Sequence, residues 1–303
     1  MLRLSDSNKH GNIDGGHTLR AILKAENDQT LSDDRYVFFE IFTGIESPVE
    51  LAAARNTSVQ VDLKSIAELE RSFDVIKKAF ASVRFKDRIA YKMNEHYNLS
   101  GIRPIDVREV IAIIVMFSQT LYPYKTTNGT LSESQPVQCY TGKEATLKKF
   151  LKLNKSEKER KREEMIEAMM PIIPKIFELW DKVEREFPIV ANKSGKRYGT
   201  RKYARYSDGK VVDKALFSEE DLQYCVPKGL LYPVVGSFRA LIKIDESGNY
   251  GWIKDPIKVW DKIGGKLTTI ILDEKSDNPD VLAKNTNLWS NLFEEVYIYG
   301  FMS

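Results

Sequence analysis

The sequence predicts an α+β fold that is mostly helical, with a small N-terminal strand–turn–helix portion packed on a larger helical portion. Three observations carry this. Apolar residues recur at three- and four-residue steps from Leu63 to Phe80 and again from Met165 to Phe187, the period of a helix face laid on a core. The run Val110–Phe117 is apolar throughout. It is far shorter than the ~20 residues that a membrane-spanning helix needs, so it reads as a buried helix. Tyr36–Phe42 is rich in aromatic and β-branched residues, which suit a buried strand.

In chain order, residues 11–23 read as a strand end, a tight glycine turn and a helix start. After the strand Tyr36–Phe42, Gly44–Pro48 turns the chain and Val49–Arg55 forms one or two helical turns. A helix begins at Asp62, with Ser65 and Glu68 at capping-box spacing. A further helix covers Lys86–His96. The next starts at Pro104–Asp106, with Glu109 three residues after Asp106, and ends before Tyr122. Residues 123–142 are polar and read as a loop or linker. It separates residues 1–122 from a mostly helical portion, 143–303. Pro171 and Pro174 kink or split the helical stripe from Met165 to Phe187. Residues 188–213 form a hairpin or extended loop. Gly229–Ile244 is a helix or strand, Leu267–Leu272 a strand or apolar helix segment, and Asn287–Tyr299 an amphipathic closing helix.

The length of 303 residues, with 42% hydrophobic and 29% charged residues, excludes a disordered tail, a collagen and a disulfide scaffold. Cys139 and Cys225 have no metal-ligand spacing and read as two reduced thiols. With no secretory signal at the N-terminus, this places the protein in the cytoplasm, with no membrane partner. The net charge of +3 hides an asymmetry. Residues 143–162 carry +6 and residues 191–214 carry another +6, on an otherwise acidic chain. Within Lys148–Arg162, glutamates face the cations at helical spacing, so that run reads as a solvated face. The segment Lys193–Tyr206 instead interleaves Lys193, Lys196, Arg197, Arg201, Lys202 and Arg205 with Tyr198, Tyr203 and Tyr206. Such cations neutralise phosphates, and tyrosine faces stack on bases. The bland reading is a surface hairpin with its tyrosines turned into the core.

The most specific segment is Gly11–Ile22, GNIDGGHTLRAI. Two glycines follow an acid directly before a helix start. They permit positive φ and close backbone approach, and the helix N-terminus is a ready anion site. Asp14 would hold a metal or a ribose and His17 would donate to a phosphate. The bland reading is a strand–turn–helix corner capped by Asp14. Asp273-Glu274-Lys275 lacks a partner acid for a nuclease and reads as a charged turn. His10, His17 and His96 have no zinc spacing.

The string DGGHTLRAI resembles the DGQHR-type motif of the ParB/sulfiredoxin-like superfamily, whose loop cradles nucleotide phosphates. Asn56 falls on that superfamily's Asn. His17 and Thr18 stand where it has paired arginines, Gly16 where the motif has Gln, and Arg55 where an acid precedes the Asn. The chain is also similar to the abortive-infection phage-resistance (AIPR) family, in its N-I-D-G-x-H-T opening, in Arg55-Asn56-Thr57, and in Tyr232–Leu241 and Leu288-Trp289.

These resemblances imply a phage-defence protein that binds a nucleotide or nucleic-acid phosphate at the corner. Gly15, Gly16, Thr18, Arg20 and Asn56 would hold the nucleotide. Asp14 and His17 would be catalytic, with Asp14 also the ligand of a Mg2+ ion. The implied chemistry is metal-assisted attack on a phosphate, an NTPase or nuclease activity of ParB-like type, and whether it occurs stays open. Two alternatives stand beside it. One is a non-enzymatic module that binds DNA or RNA through residues 193–206. The other is a protein–protein adaptor, with its oligomeric state open.

Overall fold

The computed structural model describes residues 15–32, 36–37, 40–41, 43, 62–93, 95, 101, 103–124, 135–154, 160–204 and 213–302. The chain divides into two compact units, Met1–Arg71 and Ser72–Ser303. In the first unit, helix α1 spans Gly16–Asn27 and α2 spans Leu63–Leu69, with Asp62 at the N-cap of α2. The buried strand expected over Tyr36–Phe42 is not found among its described residues. Tyr36, Val37 and Ile41 lie outside any strand and are exposed. Aromatic and β-branched side chains favour a strand only where a neighbouring ladder takes up its backbone hydrogen bonds. The helical turns expected over 49–55 lie outside the described residues.

The second unit is mostly helical, with three separate two-stranded sheets among the described residues. Its helices are α3 (Asp74–Ala79), α4 (Val107–Val115), α5 (Gln138–Thr141), α6 (Lys143–Leu151), α7 (Lys161–Met169), α8 (Ile173–Lys193), α9 (Lys228–Ser237), α10 (Pro256–Leu272), α11 (Pro279–Lys284) and α12 (Thr286–Met302). Strands β1 (Ile89–Ala90) and β2 (Ile105–Asp106) pair in parallel. β3 (Asp213–Lys214) pairs antiparallel with β4 (Asp221–Leu222), and β5 (Ile242–Ile244) with β6 (Tyr250–Trp252).

Most helices are where the apolar period puts them. The Asp106 side chain accepts the Arg108 amide at 2.8 Å and caps α4, whose apolar run is buried throughout. Pro171 and Pro174 divide α7 from α8, with Pro174 in the first turn of α8, where its missing N–H costs nothing. Residues 267–272 are the last turns of α10. Helix α9 is buried from Gly229 to Ser237 and packs against α8, α11 and α12. The 123–142 segment, expected as a linker, holds α5 at its end, and the helices on either side of it, α4 and α6, pack together. The helix expected over Lys86–His96 is instead a single 3-10 turn, Lys86–Arg88, followed by β1. Pairing of Ile89 with Ile105 overrides the local preference. The solvated face expected over 148–162 is also interrupted. α6 stops at Leu151, residues 155–159 lie outside the described residues, and Arg162 is buried.

One buried and one half-buried carboxylate site hold this arrangement. Glu109 of α4 is 5% exposed. Its Oε1 accepts the Tyr232 hydroxyl of α9 at 2.8 Å. Its Oε2 accepts Lys228 Nζ at 2.8 Å and also Lys143 Nζ, from the first residues of α9 and α6. Burial pushes the Glu109 carboxyl up, but Lys228 and Lys143 overcome it and hold the group below its ordinary value. At the second site, Glu184 Oε2 accepts the Leu216 amide at 2.9 Å and Asp181 Oδ1 accepts the Phe217 amide at 3.2 Å. Arg88 grips the same two residues from the other side, donating to the carbonyls of Leu216 at 2.9 Å and Phe217 at 3.1 Å. Burial pushes Asp181 up to about 6 and Glu184 up to about 7, against the pull of those amides.

The two sites should respond oppositely to charge removal. Glu109, held low, contributes stability above the ordinary value of 4.5 that is lost as pH falls. Glu109→Gln leaves two lysines without their anion. It should cost about 2 kcal/mol at pH 7, because Lys143 and Lys228 can still reach solvent, or roughly 4–8 °C in midpoint for a unit of this size. Glu184, held high, contributes stability that is full below 4.5 and lost as pH rises through about 7. Glu184→Gln keeps an oxygen for the Leu216 amide and removes the half-buried charge. Thermal melts should show the variant several degrees more stable than the parent at pH 8 and equal to it at pH 4.5. An unchanged midpoint at pH 8 would mean that the carboxylate is well solvated there.

Candidate functional site

The hairpin expected over residues 188–213 is replaced by helix as far as Lys193, since α8 runs through Pro188. A tight turn is then built on the end of α8. The Gly195 amide donates to Asn192 O at 3.0 Å and the Lys196 amide to Ala191 O at 2.9 Å. Gly195 has φ 78°. This is the Schellman arrangement, which needs a left-handed residue just past the helix and favours glycine there. Gly195 is therefore a helix stop. Arg197 also takes a left-handed conformation, φ 45°, and opens a 3-10 turn over Tyr198–Thr200.

Tyr198 anchors the turn. Its amide donates to Asn192 Oδ1 at 2.6 Å and its hydroxyl to Cys225 O at 2.8 Å. The ring is 0% exposed and lies edge-on to Phe187 at 5.6 Å and Tyr224 at 5.9 Å. Stacking on a base requires a free ring face, so the expectation that Tyr198 stacks on nucleic acid is corrected: its ring belongs to the core. Tyr203 is half-buried beside it at 5.9 Å.

The cations of the segment divide into two sets. Lys193, Arg197 and Lys202 are exposed. Lys196 and Arg201 are turned toward the end of α10. Lys196 Nζ pairs with Asp273 Oδ1 at 2.6 Å. Arg201 donates through Nη1 to Asp277 Oδ1 and through Nη2 to Leu272 O at 3.1 Å. Both acids lie in the connection between α10 and α11. Sequence reasoning misses them as partners because they are 76 and 77 residues away. In the sequence, Asp273 is only a fragment of a nuclease motif. It is the C-cap residue of α10, and the connection lines a shallow depression of about 460 Å³. Arg205 lies outside the described residues.

The glycine corner belongs to the first unit. Gly15 has φ 88° and forms the N-cap of α1, with no side-chain cap and no acid in the first turn. Only glycine adopts this conformation without strain, which explains the residue ahead of the helix. Gly16, His17, Thr18 and Arg20 are all on α1 and exposed. His17 and Arg20, three residues apart, share a face. Asp14 and Asn56 lie outside the described residues. Among the described residues no His, Cys, Asp or Glu cluster could hold a metal ion, and no helix is long and apolar enough to cross a membrane. Cys139 and Cys225 are not joined in a disulfide.

A family model described as AIPR protein matches residues 2–286. No curated protein and no solved structure matches the chain.

Proposed function

The chain belongs to the AIPR family, which gives it a role in abortive infection against phage, and we propose that it acts there by gripping a nucleic-acid phosphate backbone with the turn at the end of α8. The observation that carries this reading is the exposure of Lys193, Arg197 and Lys202 on a turn fixed from beneath by Tyr198. A polyanion gains most from cations that are already positioned, because less side-chain and loop freedom is lost on binding. Arg197 adds a further sign, since a non-glycine residue held at positive φ marks a place where the surrounding structure dictates the backbone. The recognition is of the backbone, with no base contact, so it is independent of sequence.

A second reading rests on the glycine corner. The left-handed Gly15 opens a 12-residue helix with no acid in its first turn, a place that suits a phosphate. On the ParB-like reading of this corner, Gly15, Gly16, Thr18, Arg20 and Asn56 bind a nucleotide. Asp14 and His17 act on it with Mg2+.

The two readings separate experimentally. Fluorescence anisotropy against labelled duplex DNA should give a log–log salt slope near −3, as about 0.9 per neutralised phosphate predicts for three cations, and against single-stranded DNA and RNA a slope near −2, at about 0.7 per phosphate. Lys193→Gln/Arg197→Gln/Lys202→Gln should flatten that slope and abolish most of the affinity, and a triple variant that binds like the parent removes the first reading. For the corner, thermal melts with each nucleoside triphosphate, with and without magnesium, should show stabilisation of about 2.7 kcal/mol at 100 times the dissociation constant. That gain should be absent in Asp14→Ala. No shift with any nucleotide discards the second reading.

A further inference from the structure

We propose that Asp273 and Asp277 stand in for phosphates in the free protein, occupying Lys196 and Arg201 and so limiting how many cations of the turn a nucleic-acid strand engages. This rests on the phosphate-binding reading of residues 193–202, and it adds an internal competitor to that site.

Both ion pairs are asymmetric, with the cation the more buried partner in each. The side chains of Lys196 and Arg201 are 20% and 23% exposed, those of Asp273 and Asp277 59% and 78%. Arg201 is also held independently of its acid, keeping Nη2 on Leu272 O at 3.1 Å, while the backbone at Lys196 is fixed by its amide on Ala191 O. A phosphate can therefore replace Asp277 with little movement of the guanidinium, and Asp273 by swinging only the Lys196 side chain. Guanidinium recognises carboxylate and phosphate oxygens through the same donor geometry. Exposed ion pairs are weak and screened by salt, so little free energy is lost in the exchange.

Both acids sit on one short connection, residues 273–278. The competition is thus a property of a single segment facing the turn. With both pairs closed, the described residues from 193 to 202 offer three exposed cations. With both open they offer five. The plain alternative is that Lys196 and Arg201 only neutralise the C-terminal end of α10, where cations are favoured. That alternative assigns the acids no effect on nucleic-acid binding.

The test is Asp273→Asn/Asp277→Asn, which keeps an oxygen acceptor at each position and removes only the charge. Circular dichroism should first confirm that it folds, with Asp277→Asn alone as the milder variant. Anisotropy should then show affinity increased about tenfold at low salt, with the log–log slope steepening as two further phosphates are engaged, from near −3 toward about −4.5 on labelled duplex DNA and from near −2 toward about −3.5 on single-stranded DNA and RNA. Glu178→Gln/Glu294→Gln, which removes the same charge from two exposed positions elsewhere, should leave the slope unchanged. Wild-type affinity and slope in the Asp273/Asp277 variant would overturn the competition while leaving the role of Lys193, Arg197 and Lys202 standing. An equal gain in the control pair would overturn it too, as a bulk charge effect. Absence of binding by parent and variants alike would overturn both this inference and the reading beneath it.

Discussion

The second unit is organised around one buried negative charge. An isolated carboxylate cannot be taken out of water without several kcal/mol of penalty. Glu109 is buried, so the fold has to deliver cations and a hydroxyl to it. They come from α6 and α9, whose first residues are Lys143 and Lys228, and from Tyr232 one turn further along α9. This requirement fixes the direction in which two helices enter and the register of a third. The apolar faces alone leave those choices open, because apolar packing is non-directional. Once α9 is so placed, Trp180 meets the Tyr232 ring edge-on at 5.1 Å, and α8 is tied to the same centre.

The elements legible in the sequence are those whose causes are local. The stripe from Met165 to Phe187 is buried along its whole length, whereas the same period from Leu63 to Phe80 is broken between α2 and α3 and leaves Leu69 exposed. Asp106 caps its helix, and the two prolines mark the break between α7 and α8. The illegible elements are those decided by distant partners. Ile89 becomes a strand only because Ile105 lies beside it. Over residues 188–193, Pro188 obscures a helix. The end of that helix is written in Gly195, which by itself reads as a loop glycine.

The candidate site follows the same division. The cations of residues 193–202 are visible in composition, and the glycine corner in its motif. Which cations stay exposed, and which are taken up by Asp273 and Asp277, depends on α10 ending beside the turn. No local pattern carries that. Tyr198 shows the matching error in the other direction. Alternating tyrosines and cations suit a nucleic-acid surface and equally suit a turn anchored by an aromatic side chain, and only the placement of Phe187 and Cys225 decides between them.

The wiring of Glu109 also has a consequence in time. Its lysine partners lie 34 and 119 residues further along the chain, and Tyr232 lies 123 residues on. A ribosome adding ~5–20 residues per second exposes α4 roughly 6–24 seconds before it makes Lys228. Through that interval the nascent chain holds an apolar helix with a carboxylate on its inward face and only Lys143 to answer it. While those partners are unmade, burying α4 would take an unpaired carboxylate out of water, a cost that its apolar face has to meet alone.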